Sequence, residues 1–310
     1  MSINVRELAE YLGERIVRTG KRHGLLYIET TRRKYLLKPI ADRHHVLWWQ
    51  RVDRAIRERG FTSMPDFFVW KNEWLVMRFI SGRQARYSRY RDVMVGAQLL
   101  ARFHVAARGI ESGATRGREA ATLAQRVQKR FEQYEQSCRE PVSFLPAAVR
   151  DDYRRWGEWA LRKIEASPIH AVTRFEKAKR AVAHRDLASH NIVIGKGGKP
   201  WLIDFETAAF DAQIGDVWQM TSRTLVEWHW DPRVYEAILA NYQLVRPLRP
   251  EEQVVLDRLL MFPNDFFREQ TGLLKGRRGY SLQKVAPYLL MMVQDRPRWL
   301  QFLRWLGVAW

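Results

Sequence analysis

The segment Ala183–Glu206, AHRDLASHNIVIGKGGKPWLIDFE, constrains the fold more than any other part of the chain. Two β runs, Asn191–Ile194 and Pro200–Asp204, flank the Gly-rich turn Gly195-Lys196-Gly197-Gly198. Short apolar runs around such a turn read as a hairpin. Centred between Gly197 and Gly198, that hairpin sets Asn191 opposite Asp204. Asp186 lies in the loop that enters it. Three oxygen-bearing side chains are therefore expected at one end of a small sheet.

Phosphoryl transfer needs such a cluster. Mg²⁺ takes oxygen ligands and is held by one or two carboxylates plus substrate phosphates. A separate carboxylate orients the attacking hydroxyl and accepts its proton. Asn191 and Asp204 suit the metal role, and Asp186 suits the base role. The segment matches the kinase pattern H-R-D-L-x-x-x-N followed by Asp-Phe. His184 reads as a loop-holding hydrogen-bond former, and His190 is open to either a phosphate contact or a surface role. The small lobe should supply a lysine for the nucleotide phosphates. Lys38, at the end of KYLLK and just before the first helix, is the candidate. Residues near Met77 and Phe79 would form the hinge beside the adenine.

The surrounding pattern divides the chain in two. Residues 24–40 and the segment FFVWKNEWLVMRFISG each read as two strands around a polar turn. Between them a helix places Trp49, Val52 and Ile56 on one face and closes at Gly60. After Gly82 the period becomes helical, with faces carried by Val93, Ala97, Leu100 and His104, then by Leu123, Val127, Phe131 and Tyr134. Residues 111–119 read as a loop, and beyond residue 216 the chain is helical again. The fold class is α+β: a β-rich N-terminal nucleotide-binding lobe at 1–82 and a large helical lobe at 83–310 that contains the catalytic hairpin. The Trp-rich end RWLQFLRWLGVAW reads as a terminal helix docked on the core.

LLARFHVAARG (99–109) resembles the Leu-x-x-His-x-x-x-x-Gly helix end of aminoglycoside phosphotransferases and choline-kinase-like enzymes, and LIDFETAAFDAQIGDVWQM (202–220) resembles their metal segment. The resemblance implies a two-lobed protein kinase-like fold, ATP and Mg²⁺ as cofactors, and Asp216 as a brace for the catalytic loop. YLLKPI, IRERGF, FHVAARG, IDFE with IGD downstream, and LLMFPNDFFRE most resemble the CotS-type spore coat proteins within that superfamily. These cues span roughly residues 24 to 270. The chain departs from the pattern at four places. Arg185 stands where the small-molecule kinases carry Gly, and Glu206 replaces the Gly of Asp-Phe-Gly. Only Gly20 and Gly24 mark the phosphate loop. The helix after Lys38 lacks a central Glu, leaving Gln50, Asp53 and Glu58 to hold the lysine.

Charge bounds the remaining choices. The 310 residues carry 53 Lys+Arg against 34 Asp+Glu, a net charge of +19, and such a field attracts polyanions. Arginines such as those between Arg116 and Arg130 read as solvated helix faces. Zinc-finger spacing, RNP-like segments and basic-region heptads are absent, so no specific nucleic-acid partner is expected. Cys138 is the only cysteine, which excludes an internal disulfide and a Cys-based zinc site. The N-terminus has no apolar signal-peptide core, and no run is apolar enough to cross a membrane. Two readings stand. One is a phosphotransferase that uses a nucleotide and an unknown small-molecule acceptor. The other is a kinase-like scaffold that docks to other spore coat proteins, located in the mother-cell cytoplasm or the coat.

Overall fold

The computed structural model describes residues 4–22, 24–111, 120–140 and 142–308. Helix α1 (Val5–Leu12) precedes an antiparallel sheet of β1 (Ile16–Arg22), β2 (Leu25–Thr30), β3 (Lys34–Pro39), β4 (Phe67–Trp70) and β5 (Trp74–Arg78), in the spatial order β1-β2-β3-β5-β4. Successive strand side chains point to opposite faces. In β3, Tyr35 and Leu37 bury against Leu8, Ile28, Trp70 and Val76. Lys38 therefore stands on the other face, away from this small core. β1 escapes the hydrophobic pattern because every residue after Ile16 is exposed, so there is no alternation to read.

Helix α2 (Arg43–Glu58) lies between β3 and β4 in sequence but packs mainly with the second lobe. Its buried residues Trp48, Trp49, Val52 and Ile56 join the large core rather than the small one. Just past its end, Arg59 donates to the carbonyls of Ala106 at 3.2 Å and Gly109 at 2.7 Å. Each buried tryptophan contributes about 4–6 kcal/mol of gross transfer free energy, which ties α2 to the body of the molecule.

The second lobe begins with β6 (Gly82–Gln84) and continues with α3 (Tyr90–Ala106), α4 (Leu123–Ser137), α5 (Ala147–Glu165) and α6 (Ile169–Ala178). Four short strands follow: β7 (Val182–Ala183), β8 (Ile192–Gly195), β9 (Pro200–Leu202) and β10 (Ala209–Phe210). They form a three-stranded sheet in the order β6-β8-β9 and a β7–β10 pair. The chain ends with α7 (Ile214–Glu227), α8 (Pro232–Gln243), α9 (Pro250–Leu259), α10 (Asn264–Leu274), α11 (Leu282–Gln294) and α12 (Arg296–Trp305). Trp299, Phe302 and Leu303 bury one face of α12 against the core, so the Trp-rich end is a docked helix. Among the described residues, no helix is long and apolar enough to cross a membrane.

Two expectations need correction. The β8–β9 hairpin pairs Ile192 with Leu202 and Ile194 with Pro200, so Asn191 faces Ile203 rather than Asp204. The loop is closed by Gly195 N–H donating to Lys199 O at 2.8 Å. That leaves three loop residues, with Gly197 and Gly198 at φ 69° and 79°, where glycine carries no steric cost. A two-residue turn would have given the expected register. The arginines before residue 131 are also not simply solvated. Arg126 pairs with Asp211 at 3.1 Å, and Arg130 is half-buried. Residues 112–119 of the expected loop lie outside the described residues.

Candidate active site

The catalytic-loop segment lies between β7 and β8. Asn191 is 2 % exposed, and its Nδ2 donates to the Asp186 backbone carbonyl at 2.8 Å and to Asp186 Oδ2 at 3.3 Å. The Ile203 N–H donates to Asn191 O at 2.9 Å, which brings Asp204, the next residue, to the same end of the hairpin. His190 sits among these groups. Burial pulls its imidazole below the ordinary range, while the Asp186 and Asp204 carboxylates pull it back up. The one-residue slip in register thus leaves Asp186 hydrogen-bonded to Asn191, with the Asp186 and Asp204 carboxylates both acting on His190.

Two residues here adopt left-handed backbone, Arg185 at φ 71° and Asp204 at φ 66°. A non-glycine residue in this region costs of order 1–3 kcal/mol and persists only where surrounding contacts enforce it. At Arg185 the enforcing contact is Asp216, which is fully buried. Its two oxygens accept the N–H groups of His184 at 2.6 Å and Arg185 at 2.7 Å. Burial opposes the Asp216 charge, but hydrogen bonds from His104 and the Arg185 N–H outweigh it and hold the carboxyl below its usual range. Burial drives the His104 pKa down to about 4. The neutral ring donates from Nε2 to Asp216 at 3.1 Å and accepts from the Tyr242 hydroxyl at Nδ1, 2.7 Å away. His184 is buried and donates from Nε2 to Ile203 O at 2.9 Å, fastening the loop to the hairpin.

Lys38 finds a partner that sequence spacing missed. Its Nζ pairs with Glu206, the residue that replaces the Gly of Asp-Phe-Gly. On α2, Asp53 is occupied by Arg57 at 2.8 Å. Phe205 stacks on Trp49 with ring centroids 4.5 Å apart and an 18° interplanar angle, and also touches Phe103 and His184. The Asp-Phe-Glu segment is thereby clamped under α2. Met77 and Phe79 face different ways. Met77 lines a cavity of about 70 Å³ between α2, β4, β5 and Asp204–Glu206. The Phe79 ring lies against Tyr27 and beneath Arg22. The Phe79 N–H donates to Lys34 O at 2.7 Å, so that donor is already used.

The oxygen groups of the hairpin suit a hard cation. Because Asn191 spends its Nδ2 on Asp186, its amide oxygen is left as an acceptor. Asp204 is exposed and makes no hydrogen bond or ion pair among the described residues. No group of three or more His, Cys, Asp or Glu side chains able to hold a metal by themselves occurs among the described residues. One carboxylate and one amide oxygen, completed by substrate phosphates and water, is the donor set that Mg²⁺ takes.

Helix α7 supplies further residues that no linear motif marks. Gln219 accepts the Leu187 N–H at 2.8 Å and donates to Arg185 O at 3.1 Å. Arg223 donates to Leu187 O at 2.8 Å. Their spacing of four puts both on one turn of α7 beneath the loop. The sequence offered that periodicity but not the partner.

Residues 25–253 match the model of the phosphotransferase enzyme family. Among solved structures, an aminoglycoside phosphotransferase from Alicyclobacillus acidocaldarius is 20 % identical, with 94 % of this chain and 92 % of that chain covered and a TM-score of 0.76. A choline kinase from Streptococcus pneumoniae is 16 % identical, with 96 % of each chain covered and a TM-score of 0.56. A spectinomycin phosphotransferase, solved in complex with ADP and spectinomycin, is 12 % identical, with 94 % and 95 % covered and a TM-score of 0.59. A buried carboxylate under an HRD loop, a lysine on the third strand and these likenesses agree on a two-lobed kinase-like fold. The chain belongs to the phosphotransferase enzyme family.

Proposed function

We propose that this protein is an ATP- and Mg²⁺-dependent phosphotransferase acting on a hydroxyl group of a small molecule. The observation that carries the reading is the hydrogen-bonded Asp186–Asn191 pair at 3.3 Å, with Asp204 exposed and acting with Asp186 on the same His190. Asp186 orients the acceptor hydroxyl and takes its proton. The acceptor oxygen forms a bond to the γ-phosphorus, the bond from that phosphorus to the bridging oxygen breaks, and ADP leaves with the electron pair. Asn191 and Asp204 would hold the metal, which neutralises charge on the phosphate oxygens when bound. Lys38 holds phosphates, Met77 lines the adenine side, the Phe79 backbone carries the hinge, and Asp216 and His184 keep the loop in shape.

Mg-ATP at millimolar concentration is expected to raise the melting temperature, and Asp204→Ala is expected to abolish the rise. A wild-type protein that shows no shift overturns the reading.

A second reading is supported by the Lys38–Glu206 ion pair and by the Phe79 N–H already spent on Lys34. Both contacts occupy groups that a nucleotide would use. On this reading the chain is a CotS-type coat component with a kinase-like scaffold, located in the mother cell or the coat, and its basic surface docks to acidic coat partners. Coat assembly would then survive loss of nucleotide binding in Asp204→Ala. An assembly defect in that variant would count against a purely structural role.

A further inference from the structure

Two cavities flank the catalytic loop, and Lys38 lines neither of them. One, of about 540 Å³, is lined by Arg86, His190, Arg223, Arg268, Lys284 and Tyr288 among others, a volume suited to a small-molecule ligand. The other, of about 250 Å³, includes Lys129, Arg130, Arg185, Asp186 and Arg223, and Asp186 is its only carboxylate. Arg223 lines both, so a ligand bound there lies beside the proposed base.

The carboxylates behind these walls do not balance the cations. Arg126 and Arg185 share Asp211, at 3.1 and 3.4 Å. Arg223 and Arg268 share Asp265, at 3.7 and 3.2 Å. Glu269 adds a contact to Arg268 at 2.7 Å. Glu227 and Glu269 also line the larger cavity, and burial raises the Glu227 carboxyl above its usual range. The side chains of Arg86, Lys129, Arg130 and Lys284 make no ion pair or hydrogen bond among the described residues. Arg130 is the most telling of these. Its Nη1 is buried without a partner, and burial together with Arg268 and Arg277 pushes its guanidinium down to about 10. A buried cation beside like charges is costly until an anion meets it.

We propose that these cavities bind an anionic acceptor: a hydroxylated small molecule bearing a phosphate or carboxylate, with its anionic group on Arg130, Arg223 and Arg268 and a hydroxyl at Asp186. Transfer to that hydroxyl rests on the phosphotransferase reading, but recognition of the anion does not. A quaternary ammonium acceptor such as choline would need carboxylates or an aromatic cage. The larger cavity does present Tyr87, Tyr280 and Tyr288 with Glu227 and Glu269, so a cation is the competing occupant, but the inner cavity has Asp186, the proposed base, as its only carboxylate.

The test is calorimetric titration of the full chain with matched probes. Glucose 6-phosphate and glucuronate separate phosphate from carboxylate, glucose is the neutral parent, and glucosamine and choline are the cations. At least one anionic probe is expected to bind tenfold or more tightly than glucose, and to weaken as salt rises. Arg130→Gln is expected to weaken it by about tenfold, with Lys129→Gln as a second variant should Arg130→Gln fail to fold. Anionic probes that bind no better than glucose, or a cation that binds more tightly, overturn the proposal. So does anion binding that both variants leave intact. A Mg-ATP shift without anion binding sinks the anionic acceptor alone. Anion binding without a Mg-ATP shift sinks the transferase reading alone.

Discussion

The two walls of the cleft follow different electrostatic plans. On the side of the proposed nucleotide site a single lysine, Lys38, meets a single carboxylate, Glu206, and both are partly exposed. On the far side, Arg223 and Arg268 crowd one buried aspartate while Arg130 has no partner. The first arrangement is balanced when empty and is only weakly held, because water screens a half-exposed pair. The second carries excess positive charge in a low-dielectric setting, where each unpaired group costs more. The balanced wall can exchange one partner for another at small cost, whereas the unbalanced wall is relieved only by an incoming anion.

Asp186 lines the inner cavity of the far wall, and its substitution gives the largest expected effect. Asp186→Asn should lower the transfer rate by about 10²–10⁴-fold, the range for loss of a general base, while keeping its hydrogen bond to Asn191. Single-turnover transfer to whichever anionic probe binds would measure this. An unchanged rate would remove Asp186 from the chemistry and leave the far wall a binding surface only.

The brace under both walls is tested by pH. His104 has a native pKa of about 4, below its unfolded value of about 6.5. Between those values the unfolded chain binds a proton that the native chain does not, so stability falls as pH falls through this window. The loss by pH 4 should be roughly 3 kcal/mol. Urea unfolding of the wild type and of His104→Gln between pH 7 and pH 4.5 checks it, since the variant should lose that part of the slope. Equal slopes would mean that His104 does not hold the Asp216 brace as a neutral ring.

The smallest expected effect is on the balanced wall. Glu206→Gln removes a half-exposed ion pair worth at most about 1 kcal/mol, so Mg-ATP affinity should fall by no more than about fivefold. A rise in affinity would instead show that Glu206 blocks Lys38 rather than orients it, and would favour the scaffold reading.

The catalytic hairpin was legible because its parts are close in sequence. Asp186, Asn191 and Asp204 span fewer than twenty residues, and turn chemistry plus strand alternation bring them to one end. Even there local rules leave the register open by one residue, since the Gly-rich turn admits either two or three loop residues. β1 was invisible because its exposed side chains carry no pattern. Lys38 was placed by its strand, but its partner Glu206 lies 168 residues away, beyond any local rule.

Local spacing and periodicity, then, determined by themselves the two-lobed plan, the hairpin and the identities of its oxygen-bearing side chains. Only the tertiary structure decided what those groups face: which carboxylate meets Lys38, how Asp216 holds Arg185 in left-handed backbone, and how arginines from α4, α7 and α10 converge. The reason is physical. Turn and strand preferences act over a few residues, whereas the field at a cleft sums charges from helices that come together only when the core closes.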